Sequence, residues 1–336
     1  MTKRYLGNII TQNPTAPAGP YESDAAPGVW SLAEALAYQK AGLWPIPGNS
    51  ATIAFSSGGS TGSRTATIEK IIIETTGNST DYGDLSIARN ALGALSSSTR
   101  SVHAGGKADT GGGSTDRNEI DYIAFAGGGT ASDFGDLTVA REEPAGTSNE
   151  TRGLFAGGNV GGTQQNVIDY ITIAATGNAS DFGDLTRIVR RAGAAASSTR
   201  AVFAGGLSQN VIDYVTIGST GNATDFGDMT TSGSLQGGGA SSGTRAVFMG
   251  VNGGNTMEYI TIASTGNSTD FGDLVVGRRG SNTSSLVRGV MMGGGGTNHI
   301  DYITIATIGN ASDFGDLLTG VSENDNCSSG HGGLAA

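Results

Sequence analysis

The sequence predicts an all-β protein, and three observations carry the prediction. A landmark, Asp-(Phe/Tyr)-Gly-Asp-(Leu/Met), begins at Asp81, Asp133, Asp181, Asp225, Asp270 and Asp313, with spacings of 52, 48, 44, 45 and 43 residues. A near-fixed period in this range marks a repeat architecture. Each copy follows a β-branched run, such as Val167–Ile173 or Ile300–Ile305, and a short turn. The third observation is composition: 57 Gly but only 7 Pro in 336 residues, no Gly-X-Y register and 37% hydrophobic residues. Collagen and plain disorder are thereby excluded, because the chain can build a core.

In chain order, the first element is an arm. Six of the seven prolines and both tryptophans precede Gly48, so residues 1–47 read as one part and 48–336 as another. Ser31 with Glu34 forms a capping box and Gly42 a stop, which predicts a helix of about eleven residues. A helix this short is marginal alone and must dock through Leu32, Ala35 and Leu36. From residue 48 onward, each unit reads as four strands. A small-residue strand (192–198 in one unit) is followed by a strand ending in Gly-Gly, as in Val202–Gly206. The Ile-Asp-Tyr strand and the Asp-Phe-Gly-Asp strand complete it, joined by Gly-Asn turns at Asn78, Asn178, Asn222, Asn267 and Asn310. These strands do not alternate cleanly, as expected of sheets covered on both faces.

The ends of the repeat region are complementary. The first unit lacks its small-residue strand, and residues 320–329 supply a surplus one. Pairing them removes exposed sheet edges, so the predicted architecture is a six-bladed β-propeller closed by a C-terminal strand. The alternative is a β-solenoid, which would hold residues 320–329 far from residues 51–59.

Charge and composition narrow the function. With 19 basic against 30 acidic residues the net charge is −11, which disfavours nucleic-acid binding. No window approaches the roughly 18 apolar residues of a membrane span, and no ordinary export signal opens the chain. The single Cys327 forbids an intrachain disulfide framework, and the Cys/His inventory cannot assemble a thiolate zinc site. His103, His299 and His331 are scattered and complete no Ser-His-Asp or Cys-His set, so no enzyme and no cofactor are expected. Paired carboxylates from different units, as in a glycosidase, leave no sequence signature and stand as a lesser alternative.

Eighteen of the 30 acids occupy three recurring places. Two are the Asp residues of the landmark, such as Asp133 and Asp136 or Asp181 and Asp184. The third comprises Glu69, Asp121, Asp169, Asp213, Glu258 and Asp301. One acid per unit at one place reads as a structural duty, an Asx turn or an acceptor for backbone amides. Ca2+ binding is the rival reading. Arg100, Arg152, Arg200, Arg245 and Arg288 recur before the Gly-Gly strand and are expected to pair with these carboxylates. A ring of arginines binding acidic sugars is the alternative.

The residues resemble kelch repeats: Gly-Gly closes one strand, a Tyr lies in the next (Tyr122, Tyr170, Tyr214, Tyr259, Tyr302), and an aromatic follows about a dozen residues on. That aromatic is Phe134, Phe182, Phe226, Phe271, Phe314 or Tyr82 rather than the family's Trp, so the pattern is divergent. The wording Tyr-Ile-Thr-Ile-Ala-x-Thr-Gly-Asn-Ala-x-Asp-Phe-Gly-Asp-Leu is also similar to repeats in virion proteins of tailed bacteriophages, particularly those of marine cyanobacteria, over about residues 51–320. The segment Ala26–Leu32, followed by Ala41–Pro45, is similar to an N-terminal segment of phage tail and other structural proteins.

This resemblance implies a non-enzymatic virion structural protein, present in several copies and assembled in the host cytoplasm. The arm would fasten to other virion proteins through Trp30, Leu32, Leu36 and Trp44. The propeller would present loops to host-surface carbohydrate, with Lys107, Asp109, Arg117, Asn159, Gln164 and Asn252 as candidate ligand residues. A capsid decoration protein without a receptor is the alternative.

Overall fold

The computed structural model describes residues 33–34, 52–111 and 113–335. The chain divides into two compact units, Met1–Ala51 and Thr52–Ala336. In the first, Ala33 and Glu34 are helical, inside the stretch predicted as a helix. Trp30, Leu32, Leu36 and Trp44 lie outside the described residues.

The second unit is all-β. Six of its sheets share a core of four antiparallel strands, in sequence order in five of them. In the fourth sheet these are Gly193–Ala196, Arg200–Ala204, Val211–Thr216 and Thr224–Asp228. The first strand is buried at every residue, which its Gly and Ala composition permits in a crowded position. The second is buried at all but its leading Arg, so both of its faces are covered and it reads as a continuous apolar run rather than an alternating one. Among the described residues no helix is long and apolar enough to cross a membrane.

The cover for each sheet comes from its neighbours. Six hydrophobic clusters form, one in the seam between each pair of consecutive sheets. The sixth lies between the last sheet and the first, joining Val290, Phe314 and Leu317 to Ala54, Ile71 and Ile73. Each fully buried Ile or Phe contributes about 1.5–3 kcal/mol, so every seam supplies a substantial share of the stability.

The chain ends meet in the first sheet. Asp325–Ser328 pairs antiparallel with Ile53–Ser57, Ala54 opposite Ser328 and Ser57 opposite Asp325. A solenoid would hold these strands apart. The first strands of the six sheets touch in a cycle: 325–328, 93–96, 145–148, 193–196, 240–241, 282–284 and back to 325–328.

Hydroxyl groups tie that cycle together. Ser148 Oγ donates to Ser96 O at 2.6 Å, Ser96 Oγ to Ser328 O at 2.7 Å, and Ser328 Oγ to Ser284 O at 2.5 Å. Ser284 Oγ continues to Ser241 O at 2.9 Å and Ser241 Oγ to Ala196 O at 3.0 Å. The series breaks at Ala196, which has no hydroxyl to offer. Close to the break, His331 Nε2 lies 3.3 Å from Ser148 Oγ, and Gly332 N donates to Ser241 Oγ at 3.1 Å, so the C-terminal turn covers one end of the cycle.

Candidate functional site

The landmark Asp-Phe-Gly-Asp is a device for joining sheets. Its Gly takes a positive φ, +142° at Gly183, and a Cβ there would stand 2.5 Å from Gly221 O in the next unit's turn. Only Gly allows that approach. The Asn of each Gly-Asn turn does not take a positive φ. Its side chain instead accepts a hydrogen bond from the preceding unit, as Asn222 Oδ1 does from Asp184 N at 3.1 Å and Asn178 Oδ1 from Asp136 N at 3.1 Å. Asp181 Oδ1 accepts from Gly183 N at 3.2 Å, an Asx contact of the kind the recurrence suggested. Asp133 is exposed, and Phe134 and Phe182 are buried.

The recurring arginines correct the sequence reading. Among the described residues Arg152 and Arg200 pair with no carboxylate. Arg152 lies over the Tyr170 ring at 4.7 Å and Arg200 over Tyr214 at 4.3 Å, while their Nη1 groups donate to Ile217 O and Ile262 O of the following unit, both at 2.8 Å. Arg100, Arg245 and Arg288 repeat the arrangement. Each Tyr in turn meets the landmark Phe edge-on, as Tyr170 meets Phe182 at 6.0 Å. The stack gives the guanidinium an aromatic face and a carbonyl, so no carboxylate is needed.

The buried carboxylates belong to a different set of arginines. Arg89 meets Asp121 at 3.0 Å, Arg141 meets Asp169 at 3.1 Å, Arg278 meets Asp301 at 2.6 Å, and Arg187 pairs with Asp213. In each case the Arg belongs to one sheet's outgoing segment and the Asp to the next sheet's third strand. Burial presses the Arg89, Arg141 and Arg187 guanidinium groups down from their ordinary value, and the facing carboxylates oppose it. The guanidinium also caps carbonyls: Arg89 reaches His103 O and Glu119 O, and Arg278 reaches Met291 O and His299 O. Arg89, Arg141 and Arg278 all stand eight residues after the first landmark Asp, a recurrence visible in the sequence. Arg187 stands six after it, which hid the pattern.

Two seams carry Glu instead, and the compensation changes with it. Glu258 accepts from Thr231 N through one oxygen and from Thr230 N and Ser268 Oγ through the other. Glu69 accepts from Leu318 N at 2.8 Å and from Ser79 Oγ. Ser79 and Ser268 stand where the Asp-bearing units have Ala131, Ala179, Ala223 and Ala311. Within one chain, Asp goes with Arg and Ala, and Glu goes with Ser and no Arg.

The candidate ligand loops converge in part. The insertion after Gly106 folds as Lys107–Thr110 and Gly113–Asp116, which join Arg89–Asn90 in a small seventh sheet. Lys107 Nζ lies 3.1 Å from Glu142 Oε1, and Asn159 Nδ2 donates to the same oxygen at 2.8 Å. Asp109 pairs with Arg64, and Gln164 lies opposite Asn159 in a short hairpin. Arg117 pairs with Glu119 beside this group. Asn252 stands apart in the fifth unit, where its backbone N–H donates to Ser234 O at 2.9 Å.

The groups most suggestive of chemistry are enclosed. His103 is fully buried and pushed down to about 3 by desolvation. Cys327 is buried and pushed up to about 12, far from a reactive thiolate. The cavity among the first strands measures ≈ 20 Å3, room for about one water. Among the described residues no group of three or more His, Cys, Asp or Glu could hold a metal ion. No protein-family model and no curated protein matches the chain.

Proposed function

We propose that the protein is a non-enzymatic structural protein of a bacteriophage particle, in which six kelch-like blades form a propeller closed by the C-terminal strand. In this reading the arm fastens the protein to a tail component, and the propeller presents loops for adhesion to host-surface carbohydrate. The observation that carries it is the pairing of Asp325–Ser328 with Ile53–Ser57, which brings the two ends of the repeat region into one sheet. A scaffold closed in this way leaves loops as its variable surface, and variation on a stiff support suits recognition. The repeated acids and arginines support the same reading, because contacts between sheets occupy them. The network of Lys107, Asp109, Asn159 and Gln164 is the loop surface with the hydrogen-bonding character that sugars require.

The test uses antibodies against the full chain on purified particles of the phage that carries it. Labelling at the tail with binding of the purified chain to host cells is the expected result. Absence from the particle would overturn the proposal, and labelling on the head without cell binding would favour a capsid decoration role.

A further inference from the structure

The seam between the sixth and first sheets contains a socket that four other seams fill with a guanidinium from within the chain. In four seams a guanidinium sits against the third-strand Asp, and in two of them it also reaches two defined carbonyls. One belongs to the residue opposite that Asp, the other to the residue two before it. Arg89 does this with Asp121, His103 O and Glu119 O, and Arg278 with Asp301, Met291 O and His299 O. The other two match in part: Arg187 takes Asp213 and Val211 O but Gly205 O for the second carbonyl, and Arg141 takes Asp169 and Phe155 O, the carbonyl opposite it. The corresponding residues of the first sheet are Glu69, Ser56 and Thr67, since Ser56 lies opposite Glu69. All three line a cavity of ≈ 340 Å3, together with Asp81 and Thr319. Asp81 is the register partner of Glu69 on the adjacent strand.

Glu69 is 8% exposed and faces this cavity. Both hydrogen bonds that it accepts go to Oε2, and among the described residues Oε1 has no partner and the carboxylate no ion pair. Glu258, the other acid without an Arg, uses both oxygens on backbone amides. Glu69 Oε1 is not sealed from the cavity, so a donor that enters the cavity can reach it.

We infer that this socket binds an alkylguanidinium group supplied from outside the chain, held by Glu69 and Asp81 and by the carbonyls of Ser56 and Thr67. A planar guanidinium offers donors in a fork that matches a carboxylate and adjacent carbonyls, whereas an ammonium is a point donor. The class of ligand is therefore an arginine derivative, free or as the side chain of a partner protein. This inference is independent of the virion proposal, because it rests on the seam alone.

The chain supplies its own control. Thr319 stands six residues after Asp313, as Arg187 stands six after Asp181, and Val321 matches Val189 at the eighth place. Thr319→Arg therefore transplants the third unit's arrangement into the socket from an exposed position.

The experiment is titration of the full chain with N-acetylarginine methylamide, followed by calorimetry and NMR, with the lysine and citrulline analogues as comparisons. Saturable binding of the arginine compound alone is expected. Glu69→Gln should weaken it about tenfold or more, since one partner of a desolvated charge pair is removed. Thr319→Arg should abolish it while raising the melting temperature, which shows that the variant folds. A peptide with a central Arg that binds more tightly than the amide would indicate a partner's side chain; equal affinity would indicate a free ligand. No saturable binding, equal binding of the lysine analogue, or binding unchanged in Glu69→Gln and Thr319→Arg would overturn the inference.

Discussion

The motif glycine and the buried acid show how single residues hold consecutive sheets together. Gly183 lets the backbone of the next turn approach to a distance that a methyl group would occupy. Gly183→Ala is therefore expected to cost about 2 kcal/mol or more in urea denaturation, from strained φ and a displaced turn. Gly218→Ala, at a position with open space and no positive φ, should change little. Asp169 is fully buried against Arg141. Asp169→Ala leaves that guanidinium without a counter-charge and should destabilise by about 3–5 kcal/mol, whereas Asp169→Leu with Arg141→Met should recover most of the loss. The landmark was legible because six copies stand in the sequence, and its structural duty followed from repetition. The partners of the acids were not: Arg152 and Arg200 are as periodic as Arg89 and Arg141, and periodicity does not say whether a guanidinium meets a ring or a carboxylate.

Among the elements, the strand Asp325–Ser328 has the largest duty for its size. Without it, Ile53–Ser57 becomes a sheet edge that presents unpaired backbone groups beside the buried Ala54 and Phe55. A chain ending at Asn324 is expected to lose its cooperative melting transition and to associate in size-exclusion chromatography. A synthetic peptide of residues 320–336 should restore the monomer if the strand acts by pairing. The need for this strand could be read from the sequence, because one unit was short by the element that the C-terminus had to spare. The serine series across the first strands could not, since the hydroxyl contacts depend on how six separate segments face one another.

For the molecule as a whole, acid stability depends on groups gathered where the first strands meet. His331 is held down to about 4 by burial against an ordinary 6.5, and its Nδ1 accepts from Gly333 N at 3.2 Å. The unfolded chain binds the proton that the native state refuses, so this contribution is complete above pH 6.5 and is lost as the pH falls through 4. His103 acts in the same sense down to about 3. Asp325 acts in the opposite sense: burial pushes its carboxyl up to about 7, so its contribution is complete below its ordinary 3.8 and is lost as the pH rises through 7. Denaturation measured between pH 4 and 6.5 should show His331→Gln flattening the rise of stability with pH by about 1.4 kcal/mol per pH unit, one proton's worth. An unchanged slope would show that the C-terminal turn does not enclose the imidazole in solution.

The sequence alone determined the number of units, the strands within each and the complementarity of the two ends of the repeat region, because these follow from period, turn chemistry and counting. Tertiary structure decided which charges meet. Asp121, Asp169, Asp213 and Asp301 meet guanidinium groups from the preceding unit, while Glu69 and Glu258 meet backbone amides of the preceding unit and a hydroxyl of their own. That choice lies in seams formed by segments distant along the chain, where the length of a side chain and the space left beside it determine the partner.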